Sequence, residues 1–489
     1  MPTLIVVTNP KDWPLNIPEV DVISSRAYLT DPQYSMLRGG KVFNLCRSYR
    51  YQSLGYYVSL LAEARGHKPL PSVTTIQDVK SQVMVRVVAE DLEELIQQSL
   101  ATIRSAEFTL SIYFGRNLAK RYDRLSLRLF NLFQAPLLRV EFVRYDKWQI
   151  RHVGLLPASD IPEDHRPFVV QVAREHFAGR RTAVRRRQAR RYDLAILRNA
   201  AEATPPSDER ALQRFVKAAE ALGMHAEFIG RDDYGRLAEF DALFIRETTN
   251  VNHHTYRFAR RAAGEGLVVV DDPESILKCT NKVYLAEFML RHAIAMPRTL
   301  VVHRDNVEDI ARELGLPCVL KEPDGSFSRG VVKVETPLDL CTQAERLLEK
   351  SELVIAQEFM PTRFDWRVGI FDRQPLYVCK YHMAPSHWQI LHKDRVGKQR
   401  YGRVETLPVE LAPKPVVRTA LRAANLIGDG LYGVDLKQIG QTCYVLEIND
   451  NPTLEAGEED TVLGETLYQR IMYVFLKRLE RRSGGSLKL

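Results

Sequence analysis

The feature that most constrains the fold is a regular alternation of short apolar strands and amphipathic helices that begins at Tyr192. The pattern predicts helices over 208–222 and 255–265, a short acidic helix after 229, and strands over 193–197, 225–229, 241–245 and 267–270. Strands that alternate with helices at this spacing indicate a small parallel sheet covered by helices. We therefore expect one α/β unit here, about half the size of a doubly wound domain.

The basic character of the chain is concentrated in one segment. The 489 residues include 69 Lys and Arg against 61 Asp and Glu, a formal net charge of +8. Seven arginines and no acidic residue fall between Arg180 and Arg191, which leaves 62 basic against 61 acidic residues elsewhere. Such a run is typical of a solvated linker or helix face, and a docking site for an acidic or nucleic-acid partner is the alternative. Because no aromatic residues are interleaved with it, nucleic-acid binding is not favoured.

The region before the arginine run is predicted to be a separate mixed α/β domain, residues 1–160. It contains a strand near its start, helical spacing over 44–65 and 92–105, a strand over 108–114, and a hairpin over 137–156. None of its motifs has chemistry that can be assigned. Residues 161–191 are predicted to be a basic linker to the rest of the chain.

Cysteine usage and hydropathy indicate the compartment. The six cysteines are scattered without a Cys-x-x-Cys pair, so neither a disulfide framework nor a zinc site is expected. No apolar stretch approaches about 18 residues, the length that a transmembrane helix needs. The N-terminus lacks the basic start and long apolar region of a signal peptide. The chain is therefore expected to be cytoplasmic, without membrane contact.

The strongest local signal is a predicted hairpin over 432–452 that carries two carboxylates. A turn centred on Gln441 places Asp435 directly opposite Glu447, and period-two alternation puts Asn449 on the same face as Glu447. Two carboxylates roughly 5 Å apart at Cβ repel each other and destabilise a hairpin. A divalent cation bound between the two carboxylates would neutralise this repulsion, and Mg²⁺ takes oxygen ligands. The pattern predicts a metal site, with a solvated acidic edge as the alternative.

A second signal is a lysine followed by a glycine- and serine-containing loop between two short strands. Lys321 ends the first apolar run, and Gly325, Ser326, Ser328 and Gly330 precede the second. Such a loop can place backbone N–H groups over phosphate oxygens while the lysine supplies a point charge. It is not a Walker A loop, because no Gly-Lys-Ser/Thr opens a helix. An ordinary hairpin turn is the alternative.

A third signal is an apolar strand over 353–361 that ends at a proline. Its last residues are Gln357, Glu358, Phe359 and Met360, and Asp365 and Arg367 follow closely. A strand that ends in a linker can present backbone groups to the edge of a purine. Taken alone, this segment is no stronger a signal than a buried strand.

In this order and spacing, the three segments and Lys282 resemble the ATP-grasp ligases, most closely the RimK type of carboxylate–amine ligase. The resemblance covers roughly residues 192–480. It implies an α/β protein with an ATP-grasp domain over 283–480 and a pre-ATP-grasp α/β domain over 192–282. Residues 1–160 are similar to the extra N-terminal domain that accompanies some RimK-like ATP-grasp proteins.

The resemblance implies a role for each matching residue. Two Mg²⁺ ions, for which Mn²⁺ can substitute, would be held by Asp435, Glu447 and Asn449. Arg367 would stabilise the transferring phosphoryl group and the acyl phosphate. The remaining matches would bind ATP: the phosphates by Lys282, Lys321, Gly325, Ser326, Ser328 and Gly330, adenine by the backbone of Gln357, Glu358, Phe359 and Met360, and ribose by Asp365.

The sequence departs from the RimK pattern after the strand that follows the hinge. An Arg/Lys-Ser/Thr-Asn segment and a Gly-Gly pair are missing, and the region carries Lys380, His387 and Arg403 instead. Glutamate specificity therefore does not transfer. These three residues are candidate substrate contacts, Lys380 is also a candidate catalytic residue, and a basic surface loop is the alternative. His382 and His387 belong to no recognisable metal motif, so no transition metal is assigned.

Arg246 is a further candidate, because it ends a predicted strand of the small α/β unit. Ligands commonly bind at the carboxyl ends of parallel strands, so Arg246 could hold a substrate carboxylate. A helix N-cap arrangement around Thr248 is the alternative.

Together, these features imply a ligase that uses ATP and Mg²⁺ to join a carboxylate to an amine through an acyl phosphate, with amino acid or peptide substrates. One alternative is the addition of an amino acid to a protein tail. Another is a non-catalytic ATP-binding protein that tethers an acidic or nucleic-acid partner. The sequence does not identify the acyl donor, the amine acceptor, the oligomeric state or the role of the N-terminal domain.

Overall fold

A computed structural model describes most of the chain, in two units. The described residues are 3–13, 20–37, 40–81, 85, 92–178, 191–325, 330–384, 387–393 and 399–484, with the backbone alone at 178 and over 391–393, 399–401 and 483–484. The arginine run up to Arg190, Ser326 and Ser328 lie outside them. One unit is Met1–Arg191 with Asp232–Glu239, and the other is Tyr192–Arg231 with Phe240–Leu489. Within the described residues, no helix has the length and apolar character needed to cross a membrane.

The first unit begins with a four-stranded parallel sheet in the order β2-β1-β3-β4. Its strands are β1 (Thr3–Val7), β2 (Asp21–Ser24), β3 (Lys41–Asn44) and β4 (Lys68–Leu70). Its helices are α1 (Ser25–Thr30), α2 (Pro32–Ser35), α3 (Leu54–Ala64) and α4 (Val73–Asp78). The strand predicted at the N-terminus is confirmed, and it is almost entirely buried because both faces of a parallel sheet are covered. The helix predicted over 44–65 is shorter, since Asn44 ends β3 and Ser53 caps α3.

An antiparallel sheet in the order β5-β6-β7 completes the strands of this unit. Its strands are β5 (Glu107–Tyr113), β6 (Leu137–Arg144) and β7 (Trp148–Leu155), and its helices are α5 (Glu93–Leu100) and α6 (Asp123–Phe133). The predicted hairpin is confirmed, because β6 and β7 pair directly.

The next helix, α7 (Arg166–Ala178), falls inside the segment predicted to be a linker. Val169, Val172, Ala173 and Phe177 are buried in the same core cluster as residues of β1 and β3. Their spacing of three and four residues forms an apolar stripe on one face of a helix. The ordered part of the first unit therefore extends at least to Ala178, well beyond residue 160.

The second unit begins with the predicted parallel sheet, in the order β11-β10-β8-β9 with every pair parallel. The strands are β8 (Tyr192–Leu197), β9 (Met224–Ile229), β10 (Ala242–Ile245) and β11 (Val268–Val270). The helices are α8 (Glu209–Ala221), α9 (His254–Gly264) and α10 (Pro273–Thr280). Asp208 caps α8 by accepting a hydrogen bond from Ala211 N, as its position before the apolar stripe predicts.

A four-stranded antiparallel sheet follows, in the order β12-β15-β13-β14. Its strands are β12 (Thr299–Val302), β13 (Cys318–Lys321), β14 (Val331–Val334) and β15 (Val354–Glu358). Its helices are α11 (Lys282–Arg291), α12 (Asp309–Leu314) and α13 (Pro337–Leu348). Lys321 and Glu358 therefore end two adjacent strands of this sheet.

The last large sheet is five-stranded and antiparallel, in the order β20-β17-β16-β21-β22, and a separate ribbon pairs β18 with β19. The strands are β16 (Phe364–Phe371), β17 (Gln374–His382), β18 (Leu391–Lys393), β19 (Gln399–Tyr401), β20 (Val404–Leu407), β21 (Tyr432–Ile439) and β22 (Thr442–Asn449). Helices α14 (Lys414–Ile427) and α15 (Glu465–Gly484) complete the unit.

The two faces of the five-stranded sheet differ in character. One face buries Trp366, Val368, Val434 and Leu436 in a core cluster that includes residues of α14. Because side chains alternate along a strand, the intervening residues of β16 and β21 lie on the other face. That second face carries the polar residues of the site.

Candidate active site

The two carboxylates of the hairpin face each other because of a β-bulge. Asp435 pairs with Glu447, as predicted, but the register shifts by one between Asp435 and Leu436, which leaves Leu446 as the extra residue. The turn between the two strands contains two residues, so it is not centred on Gln441 alone. With a two-residue turn, regular pairing would have placed Leu446 opposite Asp435. A shift of one residue moves a side chain to the other face of the sheet. The bulge therefore supplies the offset that brings both acids to one face.

Arg367 on β16 holds the first of these carboxylates. Its Nε and Nη2 atoms donate to the two oxygens of Asp435 at 2.7 Å each, a bidentate ion pair. Asn449 Nδ2 donates to Asp435 Oδ2 at 3.1 Å. Burial raises the pKa of Asp435, although the ion pair opposes it. Burial would lower the pKa of Arg367, but Asp435 outweighs it and the pKa is raised, so the guanidinium stays charged.

Lys282, the first residue of α11, holds the second carboxylate. Its Nζ lies 2.9 Å from Glu447 Oε1 and also donates to the carbonyl of Gly325. Burial would raise the pKa of Glu447, but Lys282 and Lys321 outweigh it and the pKa is lowered. Glu447 is therefore an ionised carboxylate surrounded by cations.

Lys321 enters the same space from the end of β13. Its Nζ donates to Gln357 Oε1 at 2.7 Å, and Gln357 Nε2 donates to Thr299 Oγ1 at 2.9 Å. Burial, together with the nearby cations Lys282 and Lys437, lowers the pKa of Lys321 to about 8. The side chain of Gln357 thus orients the lysine, a role beyond the backbone contact that was expected of it.

The loop after Lys321 closes at Gly330, whose backbone φ is +69°. The carbonyl of Gly330 accepts a hydrogen bond from Glu322 N at 2.8 Å, and the Glu322 side chain fills the place that a Cβ of residue 330 would need. The positive φ favours glycine at this position, and any larger residue would also displace the Glu322 side chain. Of the predicted loop residues, Gly325 lines the cleft.

A cleft within the second unit joins these groups. Its empty volume is about 880 Å³, a figure that includes space open to solvent. The polar lining comes from Lys282, Lys321, Gln357, Glu358, Asp365, Gln389, Asp435, Lys437 and Glu447, and the apolar lining includes Val319, Val331, Phe359, Met360, Trp388, Ile390 and Leu446. Most of the residues predicted to bind ATP or metal therefore line one cleft.

The end of β15 forms one wall of this cleft. Glu358 accepts from Arg298 N at 2.7 Å and from Arg298 Nε at 2.8 Å. Partial burial would raise the pKa of Glu358, but these hydrogen bonds outweigh it and the pKa is lowered. The rings of Phe359 and Trp388 meet edge to face with centroids 5.8 Å apart. Apolar and backbone groups of this kind suit a planar base.

Lys437 is a site residue that the sequence reasoning missed. It lies two positions from Asp435 on β21, hence on the same face, and its Nζ donates to Asp365 Oδ1 at 2.6 Å. Thr362 Oγ1 donates to the same oxygen at 2.9 Å. The period-two alternation that located Asn449 would have located Lys437 as well.

The three candidate substrate contacts after the hinge are not in the cleft. Lys380 pairs in register with Trp366, so it lies on the face opposite Arg367, and its Nζ is 2.9 Å from Glu405 Oε1. This corrects the expected catalytic role of Lys380. Arg403 is exposed, and His387 stacks on Trp388 without lining the cleft. The same segment instead supplies Trp388, Gln389 and Ile390 to the wall.

Arg246 is also placed differently from the expectation. It is 1% exposed and donates to Ser207 Oγ, to Asn451 Oδ1 and to the carbonyls of Pro206 and Pro452, at 2.6–3.0 Å. These protein acceptors take up the hydrogen-bond donors of the guanidinium group. Arg246 therefore anchors the end of the hairpin and does not bind a substrate carboxylate. The alternative around Thr248 is not observed either, because His253 is the N-cap of α9.

The donor set at the hairpin fits Mg²⁺. Asp435 and Glu447 are opposed on one face, line the cleft and keep side-chain exposures of 17% and 30%. Asn449 directs its amide nitrogen to Asp435, which leaves its oxygen as the possible ligand. Mg²⁺ is usually held by one or two carboxylates together with substrate phosphates, and cationic side chains for phosphates are adjacent.

Comparisons with known proteins agree with this geometry. Residues 279–468 match the sequence model of the RimK-like ATP-grasp domain, and residues 25–172 match that of the RimK-like ATP-grasp N-terminal domain. A probable alpha-L-glutamate ligase of Vibrio vulnificus (strain YJ016) is 26% identical over 229 residues, 46% of this chain and 73% of the relative.

Two further matches are a second curated relative and a solved structure. The alpha-aminoadipate–LysW ligase LysX of Sulfolobus acidocaldarius is 26% identical over 230 residues, 45% of this chain and 78% of the relative. Among solved structures, D-alanine–D-alanine ligase from Bacillus anthracis aligns with a TM-score of 0.47 at 15% identity, covering 60% of this chain and 100% of that chain.

Proposed function

Because the chain belongs to the RimK-like ATP-grasp ligases, we propose that it activates a carboxylate with ATP and couples it to an amine. The γ-phosphoryl group moves to a carboxylate oxygen and ADP leaves. The amine then attacks the acyl carbon of the acyl phosphate, inorganic phosphate leaves, and an amide remains. The observation that carries this proposal is the opposition of Asp435 and Glu447 on one face, next to Lys282, Lys321 and Arg367.

Phosphoryl transfer of this kind depends on positioning and on neutralising charge spread over several oxygens. Lys282 and Lys321 reach the cleft from different elements and would contact the phosphates of ATP. The loop that starts at Gly325 would add backbone N–H groups. The backbone of 358–360 would bind adenine beside Phe359, and Asp365 would contact the ribose.

Arg367 is the residue assigned to the transferring group. Its Nε and Nη2 atoms are committed to Asp435, which fixes the plane of the guanidinium and leaves Nη1 for a phosphoryl oxygen. A cation preorganised in this way stabilises the charge that develops in the transition state. When bound by Asp435, Glu447 and Asn449, two Mg²⁺ ions, or Mn²⁺ in their place, would neutralise the phosphate oxygens.

The substrates proposed are amino acids or peptides. The relatives are named for glutamate and for aminoadipate with LysW, and the wall that Trp388, Gln389 and Ile390 supply replaces the RimK pattern here. Attachment of an amino acid to a protein is a second candidate, and the LysW ligase among the relatives favours it. The six cysteines are free, which supports a reducing, cytoplasmic location as part of the proposal.

The test is product analysis with purified protein, ATP, Mg²⁺ and pooled labelled amino acids. We expect ADP release and a new amide mass in the dialysable fraction, or label in macromolecular material if a protein is the acceptor. Asp435→Ala and Glu447→Ala should each abolish turnover while the fold is retained, whereas Asp305→Ala, at a carboxylate with 95% exposure, should behave like wild type. Undiminished turnover in either site variant would refute the metal assignment.

A complete absence of activity would refute the proposed function as a whole, and not only the metal assignment. If the protein released no ADP with any amino acid, peptide or protein extract, the ligase activity itself would be rejected. Salt-dependent retention on nucleic acid, lost when Arg185–Arg187 are neutralised, would then favour the tethering alternative.

A further inference from the structure

A second group of metal-binding side chains lies apart from Asp435 and Glu447, in the connection between β10 and α9. Glu247 follows β10 by two residues, and His253 and His254 stand at the start of α9. Each offers one ligand atom, and the three atoms lie within 4.8 Å of one another. Histidine and glutamate converge here although no cysteine or histidine motif marks the segment in the sequence.

The cluster contains buried polar atoms that the protein does not satisfy. Glu247 is 2% exposed and His254 is 8% exposed. Among the described residues, neither Glu247 Oε2 nor His254 Nε2 has a hydrogen-bond partner. Buried polar atoms are nearly always paired, and exceptions require an explanation such as a bound ion. Both unpartnered atoms belong to side chains that ligate metals.

The separation of the donor atoms suits one bound ion. Glu247 Oε1 and His254 Nε2 lie 2.8 Å apart, without the geometry of a hydrogen bond. Ligands that bind zinc tetrahedrally at about 2.0–2.2 Å are themselves about 3.3–3.6 Å apart around the ion. The two atoms are therefore close enough to share one ion after a shift of roughly half an ångström.

The third ligand is held in a suitable orientation. His253 Nδ1 lies 3.1 Å from Thr255 Oγ1, a contact that orients the imidazole ring.

We propose that Glu247, His253 and His254 bind a divalent transition metal ion, zinc first, at a site distinct from the Mg²⁺ site. Two histidines and one glutamate are a known zinc ligand set in proteins. The same ligand types also suit iron(II), whereas Mg²⁺ prefers oxygen ligands alone. Ligand chemistry thus separates the two sites within one unit.

The ion would support the neighbouring catalytic strand. The carbonyl of Glu247 accepts from Asn451 Nδ2 at 2.7 Å, and Asn451 Oδ1 accepts from Arg246 Nη1 at 2.6 Å. Asn451 lies two residues beyond Asn449 of the Mg²⁺ site. A metal at Glu247 would therefore fix the loop that holds the end of β22.

The test measures Zn²⁺ binding directly and does not depend on ligase activity. Wild-type protein freed of metal is dialysed against Zn²⁺ with excess Mg²⁺, and bound zinc is measured by mass spectrometry. We expect one zinc ion per chain, and Co²⁺ in its place should give a visible absorption band typical of nitrogen and oxygen ligands. His253→Ala and Glu247→Gln should each weaken binding by at least about tenfold, because even outer-shell changes cost about 10–100-fold.

Two control variants separate this site from others. His152→Ala, at an exposed histidine on β7, should bind zinc like wild type. The double variant Asp435→Asn/Glu447→Gln should also keep one zinc ion, since it removes only Mg²⁺ ligands. Circular dichroism checks that each variant is folded. The proposal is overturned if wild type binds no zinc, or if folded His253→Ala and Glu247→Gln bind it as tightly as wild type; the cluster is then only an ion pair.

Discussion

Two buried arginines of the second unit, Arg246 and Arg367, show how the same side chain serves two purposes. Arg246 donates to a hydroxyl, an amide oxygen and two carbonyls, all neutral acceptors. Arg367 forms a bidentate pair with the carboxylate of Asp435. The sequence made Arg246 a candidate for a substrate carboxylate and Arg367 a candidate for the transferring phosphoryl group. Only Arg367 is paired with a carboxylate that lines the cleft.

The difference appears in their electrostatics. Burial lowers the pKa of Arg246 to about 10, and nearby groups, Asp271 first, oppose this only in part. At Arg367 burial acts in the same direction, but Asp435 reverses it and the pKa is raised. A buried arginine among neutral acceptors acts as a clamp, whereas one paired with a cleft-lining carboxylate can act on phosphate. Substitutions at four residues test this contrast.

The largest effect is expected for Arg367→Met. Loss of a preorganised charge in the transition state costs on the order of 10²–10³ in kcat, so kcat should fall by about that factor with a smaller change in KM for ATP. Steady-state ADP release provides the measurement, with circular dichroism to confirm folding. Arg367→Lys keeps the charge but not the bidentate geometry, so its kcat should lie between those of wild type and Arg367→Met. A kcat for Arg367→Met within tenfold of wild type would refute the catalytic role of Arg367 and, with it, the contrast with Arg246.

Arg246→Met should act mainly on stability. It leaves buried acceptors unpaired, each worth about 1–3 kcal/mol, so the free energy of unfolding should fall by about 3 kcal/mol in urea titrations. The kcat of the folded protein should fall less than in Arg367→Met. If stability were unchanged while KM for the acyl donor rose strongly, Arg246 would be a substrate contact after all.

Lys321 should make ATP binding depend on pH. Its pKa is lowered to about 8 by burial and by Lys282 and Lys437, so the free protein loses this cation as pH rises through 8. Bound phosphates favour the charged form, and Kd for a non-hydrolysable ATP analogue should therefore rise by up to about tenfold per pH unit above 8. Titration calorimetry at pH 7 to 9.5 measures the slope. Lys321→Gln should bind the ATP analogue more weakly at pH 7, and its Kd should no longer depend on pH above 8. If the variant showed the same slope as wild type, another group would be responsible for the pH dependence.

The smallest effect is expected for Lys380→Ala. Lys380 is paired with Glu405 on the face away from Arg367, and ion pairs exposed to solvent contribute little to stability. Turnover should stay within about threefold of wild type and the unfolding midpoint should barely move. A hundredfold loss of kcat would restore the catalytic role expected from the sequence.

Much of the site could be predicted because it depends on spacing within short segments. Asp435, Glu447 and Asn449 follow from hairpin pairing and period-two alternation, and Lys321 follows from its position at a strand end. Even there, the reason for the pairing was wrong in detail, since a bulge at Leu446 supplies the register. The same alternation also pointed to Lys437, which was overlooked.

Other features could not be predicted, because they depend on segments far apart in the chain. The acceptors around Arg246 come from residues 206–207 and 451–452. The face on which Lys380 lies depends on the register of β17 against β16. The buried stripe of α7 was obscured by the arginine run that follows it, and local composition there resembles a linker.

By itself, the sequence determined the alternation of strands and helices from Tyr192 and the candidate residues for phosphate and metal, because both depend on spacing within short segments. Only the tertiary structure decided which side chains share a surface. It paired Arg367 with Asp435, a carboxylate that lines the cleft, and it enclosed Arg246 among protein acceptors. It also brought Glu247 to His253 and His254. The physical reason is that a partner's charge and burial, rather than residue type, determine what a polar side chain can do.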